Sequence, residues 1–218
     1  MIDLHTHSFF SDGELIPAEL IRRAQAKAYH GIAITDHADN SNLDFLIPRL
    51  VRFCRAANTG NDFRVVPGVE LTHVPPDSIP SLVKEARNLG ATLIVVHGET
   101  IVEPVSPGTN RSALEAGIDI LAHPGLITEE EVLLAKEKGV FLEISTRKGH
   151  SLTNGHVANL AKKVGAPLLL NTDSHSPDDL VEAHQARRIA IGAGLTDDDW
   201  KEMSDNARRV LELALSRL

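Results

Sequence analysis

The sequence predicts a parallel, barrel-like α/β domain. Two observations carry that expectation. Seven short apolar runs, each entering a polar cluster, recur along the 218 residues, with helical patterns between them. Side chains able to bind metal sit at the ends of those runs, where a parallel α/β barrel gathers its functional groups.

The first run is Ile2–His5. Pro17 then marks a helix start, followed by Leu20, Ile21, Ala24 and Ala28, with Gly31 as the stop. Gly31–Thr35 and Arg64–Glu70 are the second and third strands. Thr92–His97 and Ile118–His123 follow. Between these two lies the least regular stretch, Glu99–Asn110, with Pro104, Pro107 and Gly108; it is expected to form a loop over the site. Thr128-Glu129-Glu130-Glu131 is a capping box ahead of Val132, Leu133 and Leu134, and Gly139 suits the C′ position. Val140–Ile144 is the sixth strand. Val157, Leu160, Ala161 and Val164 repeat at helical spacing before Gly165, and Leu168–Thr172 is the seventh strand. Ser176-Pro177-Asp178-Asp179 reads as an N-cap with proline at N1. Thr196-Asp197-Asp198-Asp199 opens another helix, and Val210, Leu211 and Leu215 belong to the last one. The Ile, Val and Leu content of the runs suits strands covered on both faces.

Composition narrows the function classes. At 42% hydrophobic, 218 residues suffice for one domain, expected to span 1–218, with a sizeable core. The formal net charge is −8, and Lys and Arg are scattered in pairs such as Arg22–Arg23, Lys162–Lys163 and Arg208–Arg209. No general nucleic-acid surface is expected without a basic stripe. Cys54 is the single cysteine, so no disulfide framework exists; it lies among Leu50, Val51 and Phe53 and reads as a small core residue. Met1 is followed at once by a strand, leaving no room for a signal peptide, and no apolar run approaches membrane-spanning length. A cytoplasmic protein without membrane partners is expected.

The chemistry rests on nine side chains: His5, His7, Asp12, His37, Glu70, His97, His123, Asp173 and His175. Each lies at or just past a strand end. Residues two apart in an extended segment share a face. His5 and His7 therefore aim at one ion while Thr6 points away, and Asp173 and His175 repeat this around Ser174. Imidazole and carboxylate suit zinc, iron or manganese, and the lack of thiolates argues against a structural zinc site. A single histidine at a strand end is more often a hydrogen-bonded core or loop residue; His30, His156 and His184 are read as surface or packing residues. Nine such groups are not, because burying them without metal is costly.

These residues sit in recognisable motifs. His5-Thr6-His7-Ser8 with Asp12, Thr35-Asp36-His37, Gly68-Val69-Glu70, His97-Gly98, His123-Pro124 and Asp173-Ser174-His175 resemble the motifs of the PHP family, named for polymerases and histidinol phosphatase. The resemblance spans residues 1 to about 180. It implies a distorted (β/α)7 TIM-like barrel holding two or three divalent transition metal ions. It further implies that His5, His7, Glu70 and Asp173 hold a first ion; that Glu70, His97 and His123 hold a second, with Glu70 bridging; and that Asp12, His37 and His175 hold a third. Similar barrels that serve as RNA-binding subunits lack many of these positions.

The expected reaction is hydrolysis of a small phosphate monoester, of histidinol phosphate or nucleotide type, by a metal-bound hydroxide. Three dications against three carboxylates leave a surplus near +3 for a phosphate dianion. Glu70, Asp173 and His175 are the expected catalytic residues. Arg147, after the strand Val140–Ile144, and His73, three residues past Glu70, are expected to bind substrate, with Lys148 and His150 as weaker candidates. Asp36 is expected to orient an imidazole from behind, and Glu143 to be either such a support or a core carboxylate with a partner. The alternatives are a phosphodiesterase or exonuclease acting on nucleotide ends, and a non-catalytic scaffold that kept the barrel.

Overall fold

The computed structural model describes residues 1–60 and 62–218. Strands and helices alternate: β1 (Ile2–Asp3), α1 (Pro17–Ala26), β2 (Gly31–Ile34), β3 (His37–Ala38), α2 (Leu43–Ala57), β4 (Arg64–Leu71), α3 (Ile79–Leu89), β5 (Leu93–His97), α4 (Thr109–Glu115), β6 (Ile120–Ala122), α5 (Glu129–Lys138), β7 (Phe141–Ser145), α6 (Asn154–Val164), β8 (Leu168–Asn171), α7 (Ala183–Gly192) and α8 (Asp197–Ser216). Every strand pairing is parallel, in the order β1-β2-β4-β5-β6-β7-β8. β3 lies two residues beyond β2 and pairs with the same neighbour, β4, so the two share one barrel position. Seven strand positions therefore make a nearly closed α/β barrel, as the sequence predicts.

The barrel closes between its first and last strands. Asp173 N–H donates to the His5 carbonyl at 3.0 Å, and His7 N–H donates to the Ser174 carbonyl at 2.9 Å. Nearer the core, Leu4 N–H donates to Asn171 Oδ1 at 2.9 Å, and Asp3 Oδ1 accepts from Thr172 N–H at 3.1 Å. Side-chain amide and carboxylate thus complete a ladder that the two-residue β1 is too short to complete alone. Burial pushes the Asp3 carboxyl up to about 7, against the hydrogen bonds from Thr172.

Two apolar layers hold the fold. Leu4, Ala33, Val66, Leu93, Val95, Ile120 and Leu169 fill the barrel, joined by Ala207, Val210, Leu211 and Ala214 of α8, which plugs one end. The other helices pack outside. On α2 the stripe Leu43, Leu46, Ile47, Leu50 and Cys54 is fully buried. Each large side chain there contributes about 1.5–3 kcal/mol. Cys54 is the core residue its neighbours implied, and burial pushes its thiol pKa up. Among the described residues no helix is long and apolar enough to cross a membrane.

The predicted capping box of Thr128 with Glu131 forms, and the helix start expected at Thr196 has one as well, with Asp199. A single helix, α8, holds both Thr196-capped and Val210–Leu215 segments. Two expectations need correction. The first helix ends at Ala26, before Gly31, because Ala28 turns left-handed at φ 58°. Ser176-Pro177-Asp178-Asp179 starts no helix; the next one begins at Ala183. There Asp179 Oδ2 accepts from His175 N–H, Ser176 N–H and Ser176 Oγ–H, and these bonds close a tight turn instead.

Gly125, just past His123, adopts φ +63°, and a Cβ built there would lie 1.8 Å from the Glu99 carbonyl oxygen. Gly125→Ala should therefore cost about 2–4 kcal/mol in urea unfolding. A loss below about 0.5 kcal/mol would contradict this close approach. Cys54 should react with a thiol reagent only after denaturant unfolds the chain.

Candidate metal centre

All nine donors predicted from the strand ends converge at one end of the barrel. His5 and His7 follow β1, His37 is in β3, Glu70 in β4, His97 in β5, His123 follows β6, and Asp173 and His175 follow β8. Asp12 comes from the loop after β1. That loop is pinned by Asp36, whose carboxylate accepts from Ser8 N–H and Oγ–H at 2.7 Å each and from Ser11 Oγ–H at 2.8 Å. Asp36 thus holds the segment that carries Asp12, rather than an imidazole as expected from the sequence.

Glu70 is the hub and is fully buried. His5 Nε2 lies 3.4 Å and His123 Nε2 3.6 Å from its Oε1. His37 Nδ1 lies 2.7 Å and His7 Nε2 3.7 Å from its Oε2. Asp173 faces it across the same space, 3.2 Å from His7 Nε2 and 3.7 Å from both His5 and His123 Nε2. Beside this centre, Asp12 Oδ1 lies 3.4 Å from His37 Nε2 and 3.2 Å from His175 Nε2. Donor atoms close enough to share one ion fall into the sets His5–His7–Glu70, His5–His123–Asp173 and His7–Asp12–His37–His175.

The lone pairs are aimed, not free to rotate. His5 Nδ1–H donates to Glu143 Oε2 at 2.8 Å, and Asn171 Nδ2–H donates to the same oxygen at 2.9 Å. Glu143 is thereby the supporting carboxylate that leaves His5 Nε2 pointing at the centre. Arg147 Nη1–H donates to His175 Nδ1 at 2.6 Å, and the opposite ring nitrogen, Nε2, lies 3.2 Å from Asp12 Oδ1. Three site residues pay for position with left-handed backbone: His73 at φ 54°, His123 at φ 27° and Asp173 at φ 53°.

The decisive feature is unsatisfied polarity. Among the described residues, buried His5 Nε2, His7 Nδ1 and Nε2, Glu70 Oε1 and His123 Nδ1 have no hydrogen-bond partner. Such atoms are rare in folded chains, and a cation at the centre would give their lone pairs a partner. The donor chemistry fits divalent transition metals.

Charge fits too. Burial opposes ionisation of Glu70, but His5 and His37 outweigh it and hold its carboxyl well below the usual range. Burial and the His37 and His5 rings hold His7 well below the usual imidazole pKa, in its ligating neutral form. His5 is the reverse case. Burial opposes its imidazolium, but Glu143, Glu70 and Asp173 hold its pKa well above normal. His37 is raised as well, with Glu70 outweighing burial.

Sequence reasoning missed part of the site. Glu103, in the loop after β5, lies 2.9 Å from His97 Nε2 and 3.3 Å from His73 Nε2. His150, ranked only as a weak substrate contact, is buried and stacks on His123 at 3.9 Å between ring centroids. Neither sits at a strand end, so position gave no signal for either one. The expected substrate residues Arg147 and His73 both line an open pocket of about 380 Å³ above the donors. Arg147 Nη1 donates to the Asp173 carbonyl at 3.0 Å, and its Nε lies 3.6 Å from Asp173 Oδ2.

Fold and donors together define an α/β barrel whose strand ends gather clusters of residues that could hold metal ions. The chain matches the PHP domain over residues 3–212, and it belongs to that family. It is 50% identical over 199 residues to an uncharacterized protein of Methanocaldococcus jannaschii, covering 90% of this chain and 91% of that one. A chain of an archaeal ribonuclease P with mature tRNA superposes with a TM-score of 0.75 at 19% identity, covering 98% of this chain and 91% of that one. Histidinol phosphate phosphatase of Lactococcus lactis, complexed with zinc, L-histidinol and phosphate, superposes with a TM-score of 0.61 at 18% identity, covering 89% and 94%. At these identities the two structures establish the shared barrel.

Zinc added to metal-free protein should raise Tm, since a cation that binds only the folded chain stabilises it by mass action. The gain should grow from about pH 6 to about pH 8, because His5 and His37, with raised pKa values, must lose protons to bind. Thermal unfolding across that range reads both. A gain that shrank with rising pH would contradict these assignments.

Proposed function

We propose that this chain is a metal-dependent phosphoric ester hydrolase that cleaves the monoester of a small phosphorylated molecule, of histidinol phosphate or nucleotide type. The observation that carries this reading is the set of buried, unpartnered donor atoms on His5, His7, Glu70 and His123 beneath an open pocket. His5, His7, Glu70, Asp173 and His123 would hold two ions, with His97 beside them, and Asp12, His37 and His175 a third. Zinc, iron and manganese all suit these donors. Bound cations would supply positive charge for the phosphate and lower the pKa of a water to about 7.

The chain's own residues do the rest. Glu70 stays ionised between the imidazoles and holds them in register. Asp173 fixes the opposite wall, and Arg147, braced by it, presents a planar cation to the phosphate oxygens. His73 is exposed at the pocket rim, where the leaving group would depart. The net charge of −8 does not oppose phosphate binding, because the local field of the bound ions dominates.

A non-catalytic barrel needs none of these donors, so the site favours turnover over a scaffold role.

The test is phosphate release from histidinol phosphate, nucleoside monophosphates, a bis-phosphorylated nucleotide and a short oligonucleotide. Metal-dependent release from at least one monoester is expected. Asp173→Ala should lower it about 10²–10⁴-fold, the loss of several kcal/mol of charge stabilisation. Arg147→Ala should act mainly on KM. Cleavage of the oligonucleotide alone would replace the monoesterase with an exonuclease, and metal-independent turnover would overturn the mechanism.

A further inference from the structure

Two potential donors at the edge of the site, His150 and Glu103, are not used by the reading above. His97, His123 and His150 bring ring nitrogens within 4.8 Å of one another, and all three residues are buried. Glu103 lies against two of them, with Oε2 2.9 Å from His97 Nε2 and Oε1 3.4 Å from His150 Nε2. Its side chain is 37% exposed, so it reaches the cluster from the solvent side.

Two of the three rings are turned for ligation. His150 Nδ1 pairs with Thr100 Oγ1 at 2.8 Å, and His97 Nδ1–H donates to the Gly98 carbonyl at 3.1 Å. Both bonds leave Nε2 facing Glu103. One carboxylate cannot satisfy several converging lone pairs, whereas a divalent cation can. Three imidazoles and a carboxylate are also a full donor set for a four-coordinate transition metal.

These donors come from separate segments. Glu103 sits midway along the loop between β5 and α4, and His150 lies in the turn after β7. The loop's base is already tied. Glu99 N–H donates to Asn110 Oδ1 at 2.9 Å, and Asn110 Nδ2–H donates to the Pro124 carbonyl at 3.0 Å. Above that base Glu103, together with Thr100, connects the loop to His150 across the pocket mouth.

We propose that Glu103 and His150 are ligands of the cation held at His97 and His123, so that this cation staples the 99–108 loop over the pocket. The proposal rests on the metal-binding reading above. It adds that one ion has loop-borne ligands and that its binding sets the order of the loop.

Metal-free wild-type and Glu103→Gln proteins, both full chain, would be equilibrated across a buffered free-zinc series and their bound zinc counted. Amide hydrogen exchange over 99–108 would be followed with and without zinc. One zinc equivalent should bind at least about tenfold more weakly in Glu103→Gln. In the wild type the loop amides should gain protection on loading, and the variant should lose most of that gain. Superimposable zinc curves would overturn the proposal, as would wild-type loop exchange that ignores zinc. Those results leave the metal-binding reading standing. Wild-type protein that takes up no zinc would overturn both.

Discussion

The structure depends on how the buried carboxylate of Glu70 is compensated. A buried charge without a partner costs several kcal/mol. Four imidazoles surround Glu70, from the segment after β1, from β3 and from the segment after β6, and Asp173 brings a second carboxylate into the same space. His5 and His37 are pulled toward the charged form, whereas His7 is held neutral and both its ring nitrogens lack a hydrogen-bond partner. Divalent ions would give unpartnered atoms such as His5 Nε2, His7 Nε2 and Glu70 Oε1 a ligand role. They would also turn a destabilising cluster into a folded-state binding site.

The barrel is shaped to keep that cluster in place. Asp3 and Asn171 close the ladder between β1 and β8 directly below His5, and Asn171 also supports Glu143 behind the His5 ring. Closure and ligand orientation therefore share the same side chains. Left-handed backbone at His123 and Asp173 turns two strand ends inward, a strain that the surrounding hydrogen bonds must hold.

The strands and the nine donors were legible in the sequence because both follow simple rules. Ile- and Val-rich runs mark buried parallel strands, and donors at the carboxyl ends of such runs share one barrel face. Other features obeyed rules that compete. Ser176-Pro177-Asp178-Asp179 has the residues of a helix cap, yet the same side-chain bonds close a turn, and Asp179 uses them to fix His175. In α2, Pro48 lies inside the helix and obscures a strong apolar stripe. Glu103 and His150 reach the site from loops, where contact depends on tertiary packing that no local period encodes. Glu143 carried a readable signal: a carboxylate at a buried position of a barrel strand must find a partner, and it found His5.

The most direct test is a crystal structure of the metal-loaded protein with anomalous difference maps at the metal edges. The account predicts strong peaks at about 2.0–2.3 Å from His5 Nε2, His7 Nε2, Glu70 and Asp173, with a further peak between Asp12, His37 and His175. A map with those side chains well ordered and no peak among them would contradict it.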